Sequence, residues 1–210
     1  MLFTAPEPNL RWRSFSNLVL DVFQRLGTET LVSLGAVLAP VHHRAQPPLR
    51  GWATTDTLRT QLRRKQIGSG RYEGPTGITT VLLAAARDRS LPAFSLSTSS
   101  PSYLTDMPNP RASAALLKVA GDIGAITFPL MDLEAESRVV AERVDQFLAE
   151  RPELREAVER LPYSAEQPSA EPPSADDPPL ELPSSAAVLQ DLEEYLKSLR
   201  RENGGATTES

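Results

Sequence analysis

Residues 15–38 read F-S-N-L-V-L-D-V-F-Q-R-L-G-T-E-T-L-V-S-L-G-A-V-L and decide the fold class. The first half carries apolar residues at i, i+3, i+4, i+7, i+8 and i+11, which predicts an amphipathic helix with one apolar face: Phe15, Leu18, Val19, Val22, Phe23 and Leu26. Gly27 follows in the position that commonly ends a helix. The second half is a short apolar run with β-branched residues, which is typical of a strand buried on both faces. Helix, glycine and buried strand in this order indicate an α/β sheet protein.

The same order repeats along the chain. An apolar helix is expected from Gly77 to Arg89, a strand in L-P-A-F-S-L-S (91–97), and a third helix with Pro110 in its first turn. A short strand is also expected at Leu2-Phe3-Thr4. We therefore interpret residues 1–130 as an α/β core domain with a mostly parallel sheet.

A helical extension is expected over residues 131–161. Its apolar residues alternate four and three apart in a heptad-like seam, and Pro152 divides it into helices of about 132–150 and 152–161. The seam can dock on the α/β domain or on another subunit, and docking within the chain is the more common case.

The remaining residues suggest a tethered helix. Residues 162–183 contain seven prolines, five acidic residues and no basic residue, a composition that predicts a disordered linker. An amphipathic helix is expected over 184–202, followed by a frayed tail at 203–210; the apolar side of this helix consists of Leu189, Leu192, Leu196 and Leu199. Such a helix suits a groove on a partner protein, or its own domain.

Composition and charge exclude several classes of protein. The 210 residues carry a net charge of −5 and no cysteine, so there is no disulfide framework and no thiolate site. Residues 1–90 carry a charge of about +6 and residues 91–210 about −11, which argues against a nucleic-acid-binding protein. No apolar stretch approaches the ~20 residues of a membrane helix, and no secretory signal is visible. We expect a cytoplasmic protein that binds neither nucleic acid nor membrane.

The loop S-G-R-Y-E-G-P-T-G-I (69–78) is the first candidate site. Glycines and a proline precede an apolar helix, so backbone N–H groups at the helix start can bind an anion. Neither phosphate-loop pattern is present. The candidates for partner or anion binding are Arg71, Tyr72, Glu73, Gly74, Pro75, Thr76 and Gly77. A structural turn, a partner-binding surface and an anion pocket all remain open.

Other chemistry-bearing residues give little support for catalysis. His42 and His43 are adjacent in a loop, where neighbouring side chains are expected to point in different directions, and no spaced ligand set accompanies them. No nucleophile elbow occurs, and the paired carboxylates lie in the linker and tail. We therefore expect no catalytic residue, no metal and no cofactor.

Seven blocks of the sequence together carry a family resemblance. They are P-E-P-N-L-R-W-R-S-F (6–15), S-L-G-A-V-L-A (33–39), S-G-R-Y-E-G-P-T-G-I (69–78), L-P-A-F-S-L-S (91–97), P-S-Y-L (101–104), P-N-P-R-A-S-A-A-L-L (108–117) and S-S-A-A-V-L-Q-D-L-E-E-Y-L (184–196). In this order they resemble the bacterial, actinobacterial-type members of the proteasome assembly chaperone 2 family. The Arg71–Gly77 block is the most specific of them.

The resemblance implies a fold and a role. The fold is a three-layer α/β/α domain of the phosphorylase/hydrolase-like kind, without an established active site. Eukaryotic and archaeal relatives assist assembly of the 20S proteasome by binding its α subunits, often as dimers. Some bacterial members have instead been labelled ATP-grasp-like, a label that the missing nucleotide motifs here do not support.

The chain departs from the family pattern in four places. Family members usually have an N-terminal portion ahead of the P-E-P block, so the start is misassigned, the form is shortened, or another chain completes the sheet. The loop V-H-H-R-A-Q-P (41–47) stands where V-P-H-T-R-P is typical, which displaces its arginine. Ser97 and Ser102 stand where the family commonly has Trp and His. The chain ends Thr208-Glu209-Ser210 and lacks the hydrophobic–Tyr–any-residue docking signal of archaeal chaperones.

Two hypotheses from different classes follow, beside a third reading in which the chain is a truncated and functionless paralogue. The first is a non-catalytic, homo-oligomeric assembly chaperone or scaffold that binds proteasome subunits through protein–protein contacts. The second is a protein that binds a nucleotide or other anion, or an ATP-grasp-like ligase, using the Arg71–Gly77 loop.

Overall fold

The computed structural model describes residues 1–68, 77–105 and 107–163. Within these ranges the chain forms six helices and three strands. In chain order they are α1 (Trp12–Arg25), β1 (Leu31–Ala39), β2 (Leu49–Ala53), α2 (Asp56–Arg64), α3 (Ile78–Asp88), β3 (Ala93–Pro101), α4 (Pro110–Gly124), α5 (Met131–Ala149) and α6 (Pro152–Glu159). None of the described helices is both long and apolar enough to cross a membrane.

The three described strands form one sheet in the order β1-β3-β2. β2 pairs antiparallel with β3, with Leu49 opposite Thr98 and Ala53 opposite Phe94. β1 runs parallel to β3, because the start of β1 is bonded to the residue before β3 (Leu31 N–H to the Pro92 carbonyl, 2.9 Å) and its end to the residue after it (Ser102 N–H to the Ala39 carbonyl, 2.9 Å). The sheet is mixed, so the expectation of a mostly parallel sheet holds for one of its two pairings.

β1 lies where the sequence places a strand, but the prediction that both of its faces are buried is wrong. Leu31 is buried, but the other four large apolar side chains of β1 are 38–57% exposed: Val32, Leu34, Val37 and Leu38. The faces of a strand are buried only by elements that pack over them, and among the described residues such packing buries only Leu31 of this strand. The expected strand at Leu2-Phe3-Thr4 is also absent; these described residues are exposed and irregular.

Helix α1 ends as its sequence predicts. Leu26 is the C-cap and Gly27 follows with φ +69°, a backbone conformation that suits glycine. The Gly27 N–H donates to the Gln24 carbonyl and the Thr28 N–H to the Phe23 carbonyl, which together form a Schellman motif. This motif turns the chain directly into β1.

Only half of the predicted apolar face of α1 is buried. Val19 and Phe23 pack with Leu20 against Leu83 and Ala86 of α3, in a core cluster that also holds residues of β1 and β3. The other half forms an exposed stripe, with Leu18 at 63%, Val22 at 44% and Leu26 at 61% exposure. We call these three residues the α1 stripe.

Contacts divide the described residues into two compact units. Unit 1 comprises Met1–Gly35, Leu49–Thr98 and Leu116–Phe128; unit 2 comprises Ala36–Pro48, Ser99–Ala115 and the described residues from Pro129 onward. In unit 1 a second core cluster surrounds Phe94 and Leu96 of β3 and includes Leu58 and Leu62 of α2 and Leu116 of α4.

The two helices expected around Pro152 are α5 and α6, with Pro152 at the first position of α6. Their seam packs within unit 2: Val144 and Phe147 of α5 and Val158 of α6 form a core with Leu104. This part of the seam therefore packs within its own chain, which was the more common of the two alternatives.

Close packing around position 121 of α4 requires a glycine there. A Cβ at this position would overlap the backbone carbonyl oxygen of Ile126 and lie 3.1 Å from the Phe128 ring. We expect Gly121→Ala to destabilise the chain by about 1–3 kcal/mol in urea unfolding, because the obstructing atom belongs to the backbone and cannot swing away. Gly124→Ala in the same helix is the matched control, since its nearest neighbour is a side-chain atom of Ile126 at 3.6 Å. An equal effect of the two changes would contradict this account.

Candidate functional site

Most of the predicted site residues lie outside the described residues, namely residues 71–76 of the loop and the four leucines at 189, 192, 196 and 199. Gly77 is described and is the N-cap of α3. The first helical amide, the Ile78 N–H, donates to the Glu7 carboxylate at 2.8 Å. The hydrogen bond that this amide could offer to a bound anion is therefore already made to a carboxylate of the same chain.

Unit 2 contains a polar cluster that the sequence did not reveal. His42 and His43 follow β1, Tyr103 follows β3, and Asp145 lies on α5. Both histidines are buried, at 5% and 8% exposure. The Val41 N–H donates to the Ala39 carbonyl and the His42 N–H to the Pro162 carbonyl, and these bonds hold the histidine loop in place.

His43 sits at the centre of a hydrogen-bonded chain. Its backbone N–H donates to Tyr103 Oη at 2.8 Å, and its Nδ1 lies 2.9 Å from the same oxygen. Because the ionised Asp145 carboxylate can only accept, the ring proton of neutral His43 lies on Nε2, and Nδ1 therefore accepts from the Tyr103 hydroxyl. Nε2 then donates to Asp145 Oδ1 at 2.8 Å. The other carboxylate oxygen of Asp145 accepts from Nε of Arg44 at 2.8 Å and from a second guanidinium nitrogen.

His42 is held differently, between two rings. It stacks on His43 with centroids 4.3 Å apart and on Tyr163 with centroids 4.2 Å apart. The Arg44 N–H donates to its Nδ1 at 3.1 Å, so neutral His42 also carries its proton on Nε2. The expectation that the adjacent histidines point in different directions is wrong, because the loop brings their rings face to face.

Burial sets the protonation of this cluster. Burial, with the neighbouring His43 as the second cause, lowers the pKa of His42 to about 4. Burial also lowers the pKa of His43, although its hydrogen bond to Asp145 opposes the shift. Burial disfavours ionised Asp145, but the hydrogen bonds from Arg44 and His43 outweigh it and hold its pKa below the usual value. Burial raises the pKa of Tyr103. At neutral pH the cluster holds neutral histidines and a paired carboxylate.

This arrangement connects three segments of unit 2 by satisfied hydrogen bonds. Both ring nitrogens of His43 are engaged within the chain, and the Tyr103 hydroxyl is directed at His43 rather than at a substrate position. A small cleft beside His43 has mostly apolar walls, lined by Pro101, Leu104, Pro108, Asn109, Pro110, Arg111, Ser137, Val140 and Ala141. The side-chain amide of Asn109 is also hydrogen-bonded within the chain. It donates to Ser100 Oγ and accepts from the Ala112 N–H at the start of α4. The geometry supports a structural role for the cluster.

No metal site is apparent in the part of the chain that the structure describes. Among these residues, no group of three or more histidine, cysteine, aspartate or glutamate side chains is placed to hold an ion. His43 shares Asp145 with Arg44, and this cation competes for the carboxylate that a metal would need.

Comparison with known proteins places the chain in a family. The model of the PAC2 family matches residues 1–148. A PAC2 family protein from Streptomyces avermitilis is 37% identical, with a TM-score of 0.60 over 67% of this chain and 58% of that one. A proteasome-assembly chaperone homologue from Mycobacterium tuberculosis is 36% identical, with a TM-score of 0.63 over 72% of this chain and 63% of that one. The chain therefore spans less than two thirds of the length of these relatives.

A more distant structure shares the fold alone. An archaeal homologue of proteasome-assembly chaperone from Pyrococcus furiosus is 18% identical, with a TM-score of 0.53 over 71% of this chain and 65% of that one. A search of curated proteins gives no match. The family model covers more than half of the 210 residues, and two solved relatives exceed 35% identity. The chain belongs to the PAC2 family.

Proposed function

We propose that this chain is a proteasome-assembly-chaperone-like protein that acts by binding other proteins, without catalysis. The family match and the 36% identical chaperone homologue support the role. The complete three-layer α/β/α fold, a cytoplasmic location and a homo-oligomeric state belong to the same proposal. Its partners would be proteasome α subunits.

The structural observation that carries the proposal is the exposed apolar surface of β1. This nine-residue strand has no charged residue and no proline, although these are the features by which edge strands usually avoid unwanted pairing. Val32 and Leu34, both in unit 1, share one face, because side chains alternate along a strand. Neighbouring exposed apolar side chains of this kind are typical of protein–protein contact sites.

The predicted loop and tail residues complete the proposed contact surfaces. Arg71, Tyr72 and Glu73 would present polar contacts to the partner, and the leucine face of residues 184–202 would supply a helix on a flexible tether. The alternative of an anion site at the same loop receives less support, because the Glu7 carboxylate already accepts from Ile78.

A binding experiment with one charged substitution tests this proposal. Mixing the full chain with purified proteasome α subunits of its own organism should give a complex in native mass spectrometry. We expect Leu34→Lys to weaken the complex at least tenfold, because the ammonium group must be desolvated against an apolar partner. Thr57→Lys, at an exposed position of α2, is the charge-matched control and should bind normally. Equal binding by both variants would exclude β1 as the contact surface.

A further inference from the structure

The small cleft beside His43 combines apolar walls with a single cation. Its walls come from the end of β3 and the loop after it, from the first turn of α4 and from the first half of α5. All of these lining residues belong to unit 2. Among them there is no aspartate or glutamate, and Arg111 is the one lysine or arginine. The cleft is therefore a self-contained feature of one compact unit.

Arg111 differs from the other polar residues of the cleft. Both ring nitrogens of His43 and the side-chain amide of Asn109 are hydrogen-bonded within the chain, and Ser137 Oγ donates to the Glu134 carbonyl at 2.8 Å. Arg111 is half-buried, yet its guanidinium makes no hydrogen bond or ion pair with any residue that the structure describes. A guanidinium carries five N–H donors, so this one can still bind acceptor oxygens.

The positive charge of Arg111 acts on the inner part of the cleft. Burial lowers the pKa of His43 most, and the charges of Arg44 and Arg111 lower it further, so the Arg111 guanidinium lies within electrostatic reach of this ring. The carboxylate that contacts the ring does not neutralise Arg111, because the two oxygens of Asp145 accept from His43 and Arg44. An uncompensated cation therefore stands beside apolar walls in this part of the chain.

Size and chemistry together define the class of ligand. The enclosed part of the cleft has a volume of about 20 Å³, which is room for about one or two groups the size of a water molecule. This space is too small for a nucleotide, but it suits a carboxylate on a short chain. A carboxylate can accept two parallel hydrogen bonds from a guanidinium, and a short alkyl chain can lie against walls such as Leu104 and Val140.

We propose that the cleft beside His43 binds a short-chain carboxylate, with Arg111 pairing with the carboxylate group and the apolar walls holding the alkyl part. The same chemistry is offered by a free carboxylic acid and by a glutamate side chain of another protein. The site lies in unit 2 alone. It depends neither on the proposed proteasome role nor on the Arg71–Gly77 loop.

An NMR titration of the isotope-labelled full chain with sodium propionate, at constant pH and ionic strength, tests this site. We expect saturable shifts of the Arg111 guanidinium signal, with a dissociation constant in the millimolar range that is usual for so small a ligand. Arg111→Gln should weaken binding at least tenfold, because it removes the charged partner of the carboxylate. Arg143→Gln is the charge-matched control, since Arg143 is exposed on α5 and does not line the cleft. It should bind propionate normally.

A comparison of ligands on the wild type keeps the test decisive even if Arg111→Gln does not fold. Propionamide has nearly the same shape as propionate without its charge, and it should bind at least tenfold more weakly. Equal binding of the two ligands, the absence of saturable shifts with propionate, or equal affinity of wild type and Arg111→Gln would each overturn the proposal.

The source of the carboxylate is identified with a blocked amino acid. Acetyl-glutamate methylamide ends in the same propionate group, attached to a peptide backbone. Binding at least as tight as that of propionate would support a glutamate side chain of a protein as the natural ligand, and weaker binding would support a free acid. No proteasome subunit is present in these titrations, so their outcome is independent of the proposed chaperone role.

Discussion

Replacing Phe94 by alanine is expected to destabilise the chain by about 3–5 kcal/mol in urea or thermal unfolding. Phe94 is fully buried in the central strand β3, at 0% exposure, and packs with Leu96, Leu58 and Leu116 from three elements. The loss includes both the transfer free energy of the ring and the cavity left behind. This is a large part of the 5–15 kcal/mol that typically separates folded from unfolded domains.

Phe3, a phenylalanine at the surface, provides the control for loss of the same ring outside the core. Phe3→Ala removes the same ring at a position that is 48% exposed and that contacts Phe23 only edge-on, with centroids 5.5 Å apart. We expect a cost of at most about 1 kcal/mol there. If Phe94→Ala leaves no folded protein, Phe94→Leu should remain folded with a cost of about 1–1.5 kcal/mol. Equal losses at positions 3 and 94 would contradict the described core.

Acidification from pH 7 to pH 5 is expected to lower the free energy of unfolding by about 2 kcal/mol. The pKa of His42 is lowered to about 4 in the folded chain, and that of His43 is also lowered, whereas unfolded histidines titrate near 6.5. The unfolded chain therefore binds more protons across this window, and folding loses stability as the pH falls. The stabilisation is fully present above about pH 6.5 and declines toward the folded pKa.

Urea unfolding at several pH values measures this dependence, and His42→Asn is the informative variant. The asparagine side-chain oxygen can still accept from the Arg44 N–H, but it cannot be protonated in this range. We expect the variant to lose less stability than the wild type between pH 7 and pH 5. The same pH slope in both proteins, or a wild type that is more stable at pH 5, would show that the buried histidines do not control the acid response.

Local pattern was enough to predict most of the elements. The apolar spacing in residues 15–26 predicted α1, Gly27 its end, and Pro152 the break between α5 and α6. β2 was missed because L-R-G-W-A is short and includes a glycine and an arginine, so only its pairing with β3 makes it a strand. The exposure of β1 was missed for a similar reason: its composition indicates a central strand, but burial depends on which elements pack beside it.

The histidine cluster could not be predicted, because its contacts connect distant parts of the sequence. Asp145 is 102 residues from His43 and Tyr103 is 60 residues away. No local spacing marks such a group, and the adjacent histidines on their own suggested only a loop. The only sequence signal for this region was the heptad-like seam. It indicated that α5 packs against another element, but it gave no reason to expect a hydrogen bond between Asp145 and a buried histidine ring.

Affinity purification of a tagged copy of the full chain from its own organism, with mass spectrometry of the co-purifying proteins, tests the proposed role most directly. We expect proteasome α subunits to co-purify in stoichiometric amounts. They should be depleted when the tagged copy carries Leu34→Lys and retained when it carries Thr57→Lys. Recovery of the chain alone, or of a stable set of partners without proteasome subunits, would contradict the proposed function.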